Sequence, residues 1–115
     1  MIERIRRFIE RGRKGYCYQD LWSFDGFLSS LLVRGLREFK QNCHTYPNDI
    51  DDWDEWMATL DEMIECFEEQ TRRINENLSN IGESVEQGKR RHQNQRDKLH
   101  RGLELLEKYY WDLWD

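Results

Sequence analysis

With 115 residues, the chain has room for one domain and a modest core. Hydrophobic and charged shares are nearly equal, 37% and 36%, and no run approaches the roughly 20 apolar residues of a membrane-spanning helix, so a cytoplasmic protein with no membrane partner is expected. The net charge of −5 makes duplex nucleic acid an unlikely partner, and three widely spaced cysteines, Cys17, Cys43 and Cys66, fit neither a disulfide framework nor a zinc site.

The N-terminal stretch places Ile2, Ile5, Phe8 and Ile9 at helical spacing among Arg4, Arg6, Arg7 and Arg11. This predicts a short basic amphipathic helix over residues 1–12, ended by Gly12 and Gly15. Such a helix can lie on a membrane surface, but one helix of a bundle with its apolar face inward is the favoured reading. No apolar run or small-residue cleavage site of the secretory type follows the basic residues.

A core helix is predicted over residues 20–42, with an N-cap between Asp20 and Ser23. Its stripe is Phe24, Phe27, Leu28, Leu31, Leu32, Leu36 and Phe39. Gly35 interrupts the stripe and is expected to admit a neighbouring backbone. The His44-Thr45-Tyr46-Pro47-Asn48 segment is a turn, because the residue before proline resists the helical region.

Asp51 or Asp52 then caps an acidic helix predicted over residues 51–85. Trp53, Trp56, Met57, Leu60, Met63, Ile64 and Phe67 form its core face, and Ile74, Leu78, Ile81 and Val85 a thinner, heptad-like seam. Residues 86–97 are nearly devoid of apolar side chains and read as a polar connector or a projecting helical arm, with breaks at Gly82 and Gly88. A last helix over residues 98–114 is expected to bury Leu99, Leu103, Leu106, Tyr110 and Leu113. The whole is an all-α bundle of three to four helices with a long polar helical arm, whose narrow seam suits a dimer, with a monomeric helical hairpin as the alternative.

Charge falls in blocks along these elements: +4 over residues 1–43, −10 over 44–71, +4 over 72–102 and −3 over 103–115. Alternating signs point to helices or subunits that pair by charge, with separate solvated faces as the alternative. Aromatic residues supply 13% of the chain, and each large ring buries about 150–250 Å². Trp22, Phe24, Leu28, Leu31, Trp56, Leu60, Phe67, Leu106 and Trp114 are therefore expected in the core. A core this thin would gain from a subunit interface, and a homo-oligomer is the expected state.

The elements at Trp22, Asp25 and Leu28, at His44, Tyr46 and Pro47, and at Trp56, Leu60, Met63 and Phe67 form a constellation. With Gly102 to Tyr109 and the terminal Leu113-Trp114-Asp115, it resembles a group of small helical proteins encoded by bacteriophages and prophages. The resemblance covers residues 13–70 and 98–115. It implies a phage origin, a helical fold and a place in the host bacterial cytoplasm, and carries no catalytic residues with it.

Chemistry is sparse. Cys43 and His44 are adjacent and lack a third orienting group. His92 and His100 lack a metal-binding frame, and no phosphate loop or His-Glu-x-x-His motif is present. The one enzymatic alternative is a set of carboxylates, Asp61, Glu62, Glu65, Glu68 and Glu69 with Glu104 and Glu107. These could converge on Mg²⁺ as in all-helical nucleotide pyrophosphohydrolases. An acidic solvated face is the favoured reading, so neither a metal nor a cofactor is expected.

Binding is the better expectation. Arg11, Arg13, Lys14, Tyr16, Tyr18, Asp20, Trp22, Asp25, His44 and Tyr46 are the candidate ligand-binding residues. Rings stack on bases and arginines pair with phosphates, which suits sequestration of a nucleotide-like anionic signal in a counter-defence role. A protein–protein inhibitor or adaptor using the acidic aromatic surface to engage a host protein is the alternative.

Overall fold

The computed structural model describes the backbone of residues 1–76 and 84–114 and the side chains of residues 1–72 and 84–114. Among these, four α-helices account for most of the chain and no strand occurs: α1 Ile2–Lys14, α2 Phe24–Asn42, α3 Trp53–Glu76 and α4 Val85–Tyr109. A 3₁₀ helix at Tyr18–Ser23 leads into α2, and another at Tyr110–Asp112 follows α4. The chain is the small all-α bundle that its periodicity predicts.

Local chemistry explains most of the boundaries. α1 runs through Gly12 and ends at Gly15, whose φ of 85° is the left-handed conformation that glycine adopts without strain; its amide donates to the Arg11 carbonyl at 2.8 Å. α2 stops where the Pro47 turn begins, and there the Ile50 amide donates to the Pro47 carbonyl. Asp52 caps α3 by accepting the Glu55 amide at 2.8 Å, while Glu55 accepts the Asp51 amide at 3.1 Å.

Residues 86–97, read as a polar connector or a projecting helical arm, are helix. Ser84 and Gln87 form a reciprocal capping box, at 3.2 and 3.1 Å, that starts α4 at Val85. Gly88 lies inside that helix and breaks nothing. The acidic helix is described to Glu76, and Val85 belongs to α4. The remaining seam positions, Ile74, Leu78 and Ile81, and the expected break at Gly82 lie outside the described side chains.

α3 sits in the middle, with α2 packed along one side and α4 along the other. These three form one layer, and with α1 included the molecule is flat, 44 × 44 × 19 Å. Trp56, Leu60, Met63, Ile64 and Phe67 of α3 form the spine of the core. Val33 and Leu36 meet it from α2, Leu105 and Tyr109 from α4, and Cys43 and Ile50 close one end. Trp56 meets Tyr109 edge to face with centroids 5.4 Å apart.

Several expected core residues lie elsewhere. Trp22 is 72% exposed and Trp114 71%, and Phe24, Leu28 and Leu31 are also exposed. The layer covers the face of α2 that holds Val33 and Leu36, with Leu32 and Phe39 partly buried beside them, so the part of its wide apolar stripe that holds Phe24, Leu28 and Leu31 reaches solvent. On α4 the packed face is Gly102, Leu105 and Tyr109, not Leu99 and Leu103. A methyl group on Gly102 would lie 2.9 Å from Cys66 Cβ and 3.3 Å from the Phe67 ring, so this glycine sets the close approach of α4 to α3. Gly35, predicted to play that part, has open space around it.

Charge pairing across helices is realised inside the layer. Lys40 and Arg37 of α2 reach Asp61 and Glu68 of α3, at 2.6 and 2.9 Å. Lys98 and Arg101 of α4 reach Glu65 and Glu62. The buried Gln95 adds a polar bridge, since its carbonyl accepts from Gln70 at 2.9 Å and its amide nitrogen donates to the Glu69 carbonyl at 3.4 Å.

Candidate functional site

α1 buries none of its residues. The face predicted to turn inward, Ile2, Ile5, Phe8 and Ile9, is exposed along its whole length, Phe8 to 78%. α2 and α4 already occupy both flanks of α3, which leaves α1 outside the layer. Its polar side carries six basic residues against Glu3 and Glu10, a net charge of +4. Next in sequence come Tyr18, Leu21 and Trp22, all exposed, with Tyr18 and Trp22 edge to face at 6.3 Å.

A charged clamp fixes the elbow between α1 and the 3₁₀ helix. Arg11 donates through Nε and Nη2 to the two Asp20 carboxylate oxygens, at 3.1 and 2.7 Å. Asp20 also accepts the Cys17 amide at 2.8 Å, and the Asp20 amide donates back to the Cys17 carbonyl. The Arg11 guanidinium, and after it the Cys17 amide, hold the Asp20 carboxyl far below the usual carboxylate range; Asp20 in turn holds Arg11 above its ordinary value. The side chain of Asp20 is only 10% exposed and Cys17 is fully buried. The fork-to-fork geometry makes this a rigid joint.

Outside the elbow lies a cavity of about 490 Å³, lined by Arg11, Asp20, Ser23, Phe27, Ser30 and Arg34 among others. Of the ten predicted binding residues, only Arg11 and Asp20 line it. Arg11 is already committed to Asp20, and Arg34 Nε donates to the Ser30 carbonyl at 3.4 Å. Arg13, Lys14, Tyr16, Tyr18 and Trp22 surround the elbow without lining the cavity. Asp25 faces a different feature, an apolar groove of about 270 Å³ formed with Leu28, Leu32, Phe67, Leu99 and Leu103.

At roughly 100° per residue, Ser23, Gly26, Phe27, Ser30 and Arg34 share one side of α2, and Asp25, Leu28, Ser29 and Leu32 share the opposite side. The elbow cavity and the apolar groove therefore open on opposite sides of that helix.

His44 and Tyr46 are not part of the elbow. They follow the far end of α2, whose 19 residues span about 28 Å. The predicted rim thus divides into two surfaces. At the far end, a cavity of about 200 Å³ is lined by Tyr46, Pro47, Asn48, Asp112 and Trp114, and Tyr46 meets Trp53 edge to face at 6.5 Å. Asp49, Asp51, Asp52 and Asp54 surround this end, all exposed, and among the described residues none of them forms an ion pair.

The carboxylates considered for Mg²⁺ are drawn apart. Glu62 and Glu65 are each taken by a base on α4, Asp61 and Glu68 by bases on α2, and Glu104 by His100 and Arg101. Among the described residues no cluster of three or more His, Cys, Asp or Glu is arranged to hold a metal ion. Among the described residues no helix is long and apolar enough to cross a membrane.

Sequence reasoning passed over the residues that make the arm a surface, Ile2, Ile5, Phe8 and Ile9, by assigning them to a core. No signal in the sequence distinguishes an amphipathic face covered by its own chain from one left exposed. The chain matches no protein family, no curated protein and no solved structure.

Proposed function

We propose that this chain acts by binding another protein surface, as an adaptor or inhibitor, and that its contact element is the N-terminal arm formed by α1 and the 3₁₀ helix. The observation that supports this is the full exposure of the α1 apolar stripe on a helix held rigidly at its base. Contiguous apolar surface rimmed by charge marks interaction sites in soluble proteins. A helix with anchors at positions 2, 5 and 9 suits docking on a complementary surface. The test is capture by wild-type chain and by Ile5→Glu/Phe8→Glu, both checked for native helix content. A partner retained by wild type and lost by the variant is the expected result; identical capture by both would defeat the reading.

A second reading, sequestration of a nucleotide-like anion, is supported by the elbow cavity. Arg34, Ser23 and Ser30 offer donors there, beside the Phe27 ring. The Arg11–Asp20 pair weakens this reading, because an incoming phosphate must compete with a fixed carboxylate. A thermal-shift series with cyclic di- and trinucleotides tests it. A rise in Tm that disappears in Arg34→Ala supports the cavity, and no rise at ligand excess rejects it.

A further inference from the structure

We infer that, until a partner displaces it, the surface which receives α1 is the acidic aromatic end of a second copy of the same chain, an inference that rests on the arm being the contact element. Two surfaces of one molecule are left uncovered and are complementary in both charge and polarity. α1 offers an apolar stripe flanked by Arg4, Arg7 and Arg13, none of which forms an ion pair among the described residues. Arg7 Nε is shielded from solvent and has no acceptor. The far end offers Tyr46 and Trp114, exposed around a cavity large enough for one aromatic side chain, with Trp53 against Tyr46 and Asp49, Asp51, Asp52 and Asp54 beside them.

The sorting of acids along the chain sharpens this match. Within α3, Asp61, Glu62, Glu65, Glu68 and Glu69 all meet bases of the same molecule. The carboxylates at the far end do not. The −10 block therefore divides into a part that holds the layer together and a part left for something basic. α1 is the most basic element in the chain that the layer leaves uncovered.

The contact has to be made between molecules. The two surfaces lie at opposite ends of α2, about 28 Å apart, whereas α1 is about 20 Å long and its base is fixed by the Arg11–Asp20 clamp. Each copy carries one arm and one receiving end, so two copies related by a two-fold axis satisfy both at once. The aromatic cavity takes Phe8, and the aspartates face Arg4, Arg7 and Arg13.

The experiment is sedimentation equilibrium on the full chain, wild type against two variants at exposed positions: an arm variant, Ile5→Glu/Phe8→Glu, and an end variant, Asp49→Lys/Asp51→Lys. Neither touches the core or the Asp52 cap, and circular dichroism checks that both fold. Wild type is expected to dimerise, with at least tenfold weaker association in either variant alone. Mixing the two variants is expected to restore association in part, because one intact arm then meets one intact end.

A monomeric wild type at millimolar concentration would overturn the inference. Dimerisation weakened by the arm variant and untouched by the end variant would overturn it while leaving the arm as the contact element. Dimerisation insensitive to both would overturn the inference and remove its support from the arm. Vesicles of phosphatidylserine and phosphatidylcholine form the last arm of the test. A monomer that binds them through Phe8 would replace the protein partner with lipid and overturn both readings.

Discussion

Single residues carry unequal weight in this fold, and the tryptophans show it most clearly. Trp56 is fully buried against Tyr109, so Trp56→Ala is expected to cost about 3–5 kcal/mol in denaturant unfolding. Trp22, with the same side chain, faces solvent, and Trp22→Ala is expected to stay within about 0.5 kcal/mol of wild type. The indole N–H of Trp56 finds no acceptor. Trp56→Phe removes that donor while keeping most of the ring, and it should cost much less than the alanine change. Glycines divide in the same way. Gly102→Ala forces a methyl group onto Cys66 Cβ and should destabilise by about 1–3 kcal/mol, whereas Gly35→Ala meets no atom and should stabilise α2 by about 0.5–1 kcal/mol. Composition reveals that such residues exist but not which of them is buried. That depends on which side of each helix the layer covers.

The Arg11–Asp20 joint gives a pH prediction at the same scale. Folding lowers the Asp20 pKa, so the joint's contribution is complete above the ordinary carboxylate value of 3.8 and is lost only as pH falls toward the depressed folded value. Carboxyl NMR is expected to show no Asp20 titration between about pH 3 and pH 7, and in Arg11→Ala the carboxyl should titrate close to the ordinary range. An Asp20 that titrates near 4 in the wild type would mean that the joint is open in solution.

Elements were legible where their caps and periodicity agree. Asp52, the Pro47 turn and the α3 stripe could be read from the sequence because each acts locally. Ser84 and Gln87 satisfy the orphan amides at the start of α4 and turn a polar segment into helix, an effect that apolar periodicity does not register. Ser84→Ala is expected to fray that first turn at a cost of about 1 kcal/mol, visible as faster amide exchange over residues 85–90 with little change at Leu105. The phase of α4 is hidden from periodicity because its packing centre is Gly102, which adds nothing to a hydrophobic stripe. The cross-helix ion pairs are mostly half-exposed, each worth up to about 1 kcal/mol and screened by salt. Molar NaCl should therefore lower the stability of the layer only modestly.

At the scale of the molecule, the all-α class could be read from the chain. The division of the candidate rim could not, because residues 11–25 and 44–46 are joined by a helix whose length separates them. The arm was hidden for a related reason: an amphipathic pattern reports that a face wants cover and not whether its own chain supplies it. α3 lies between α2 and α4, and each interface joins helices adjacent in sequence. Both helix pairings therefore form between neighbours in the chain, and the meeting of the Pro47 turn with Asp112 and Trp114 joins distant segments. Stopped-flow refolding should accordingly reach completion within milliseconds, in a single phase, even though the finished molecule is only 19 Å deep.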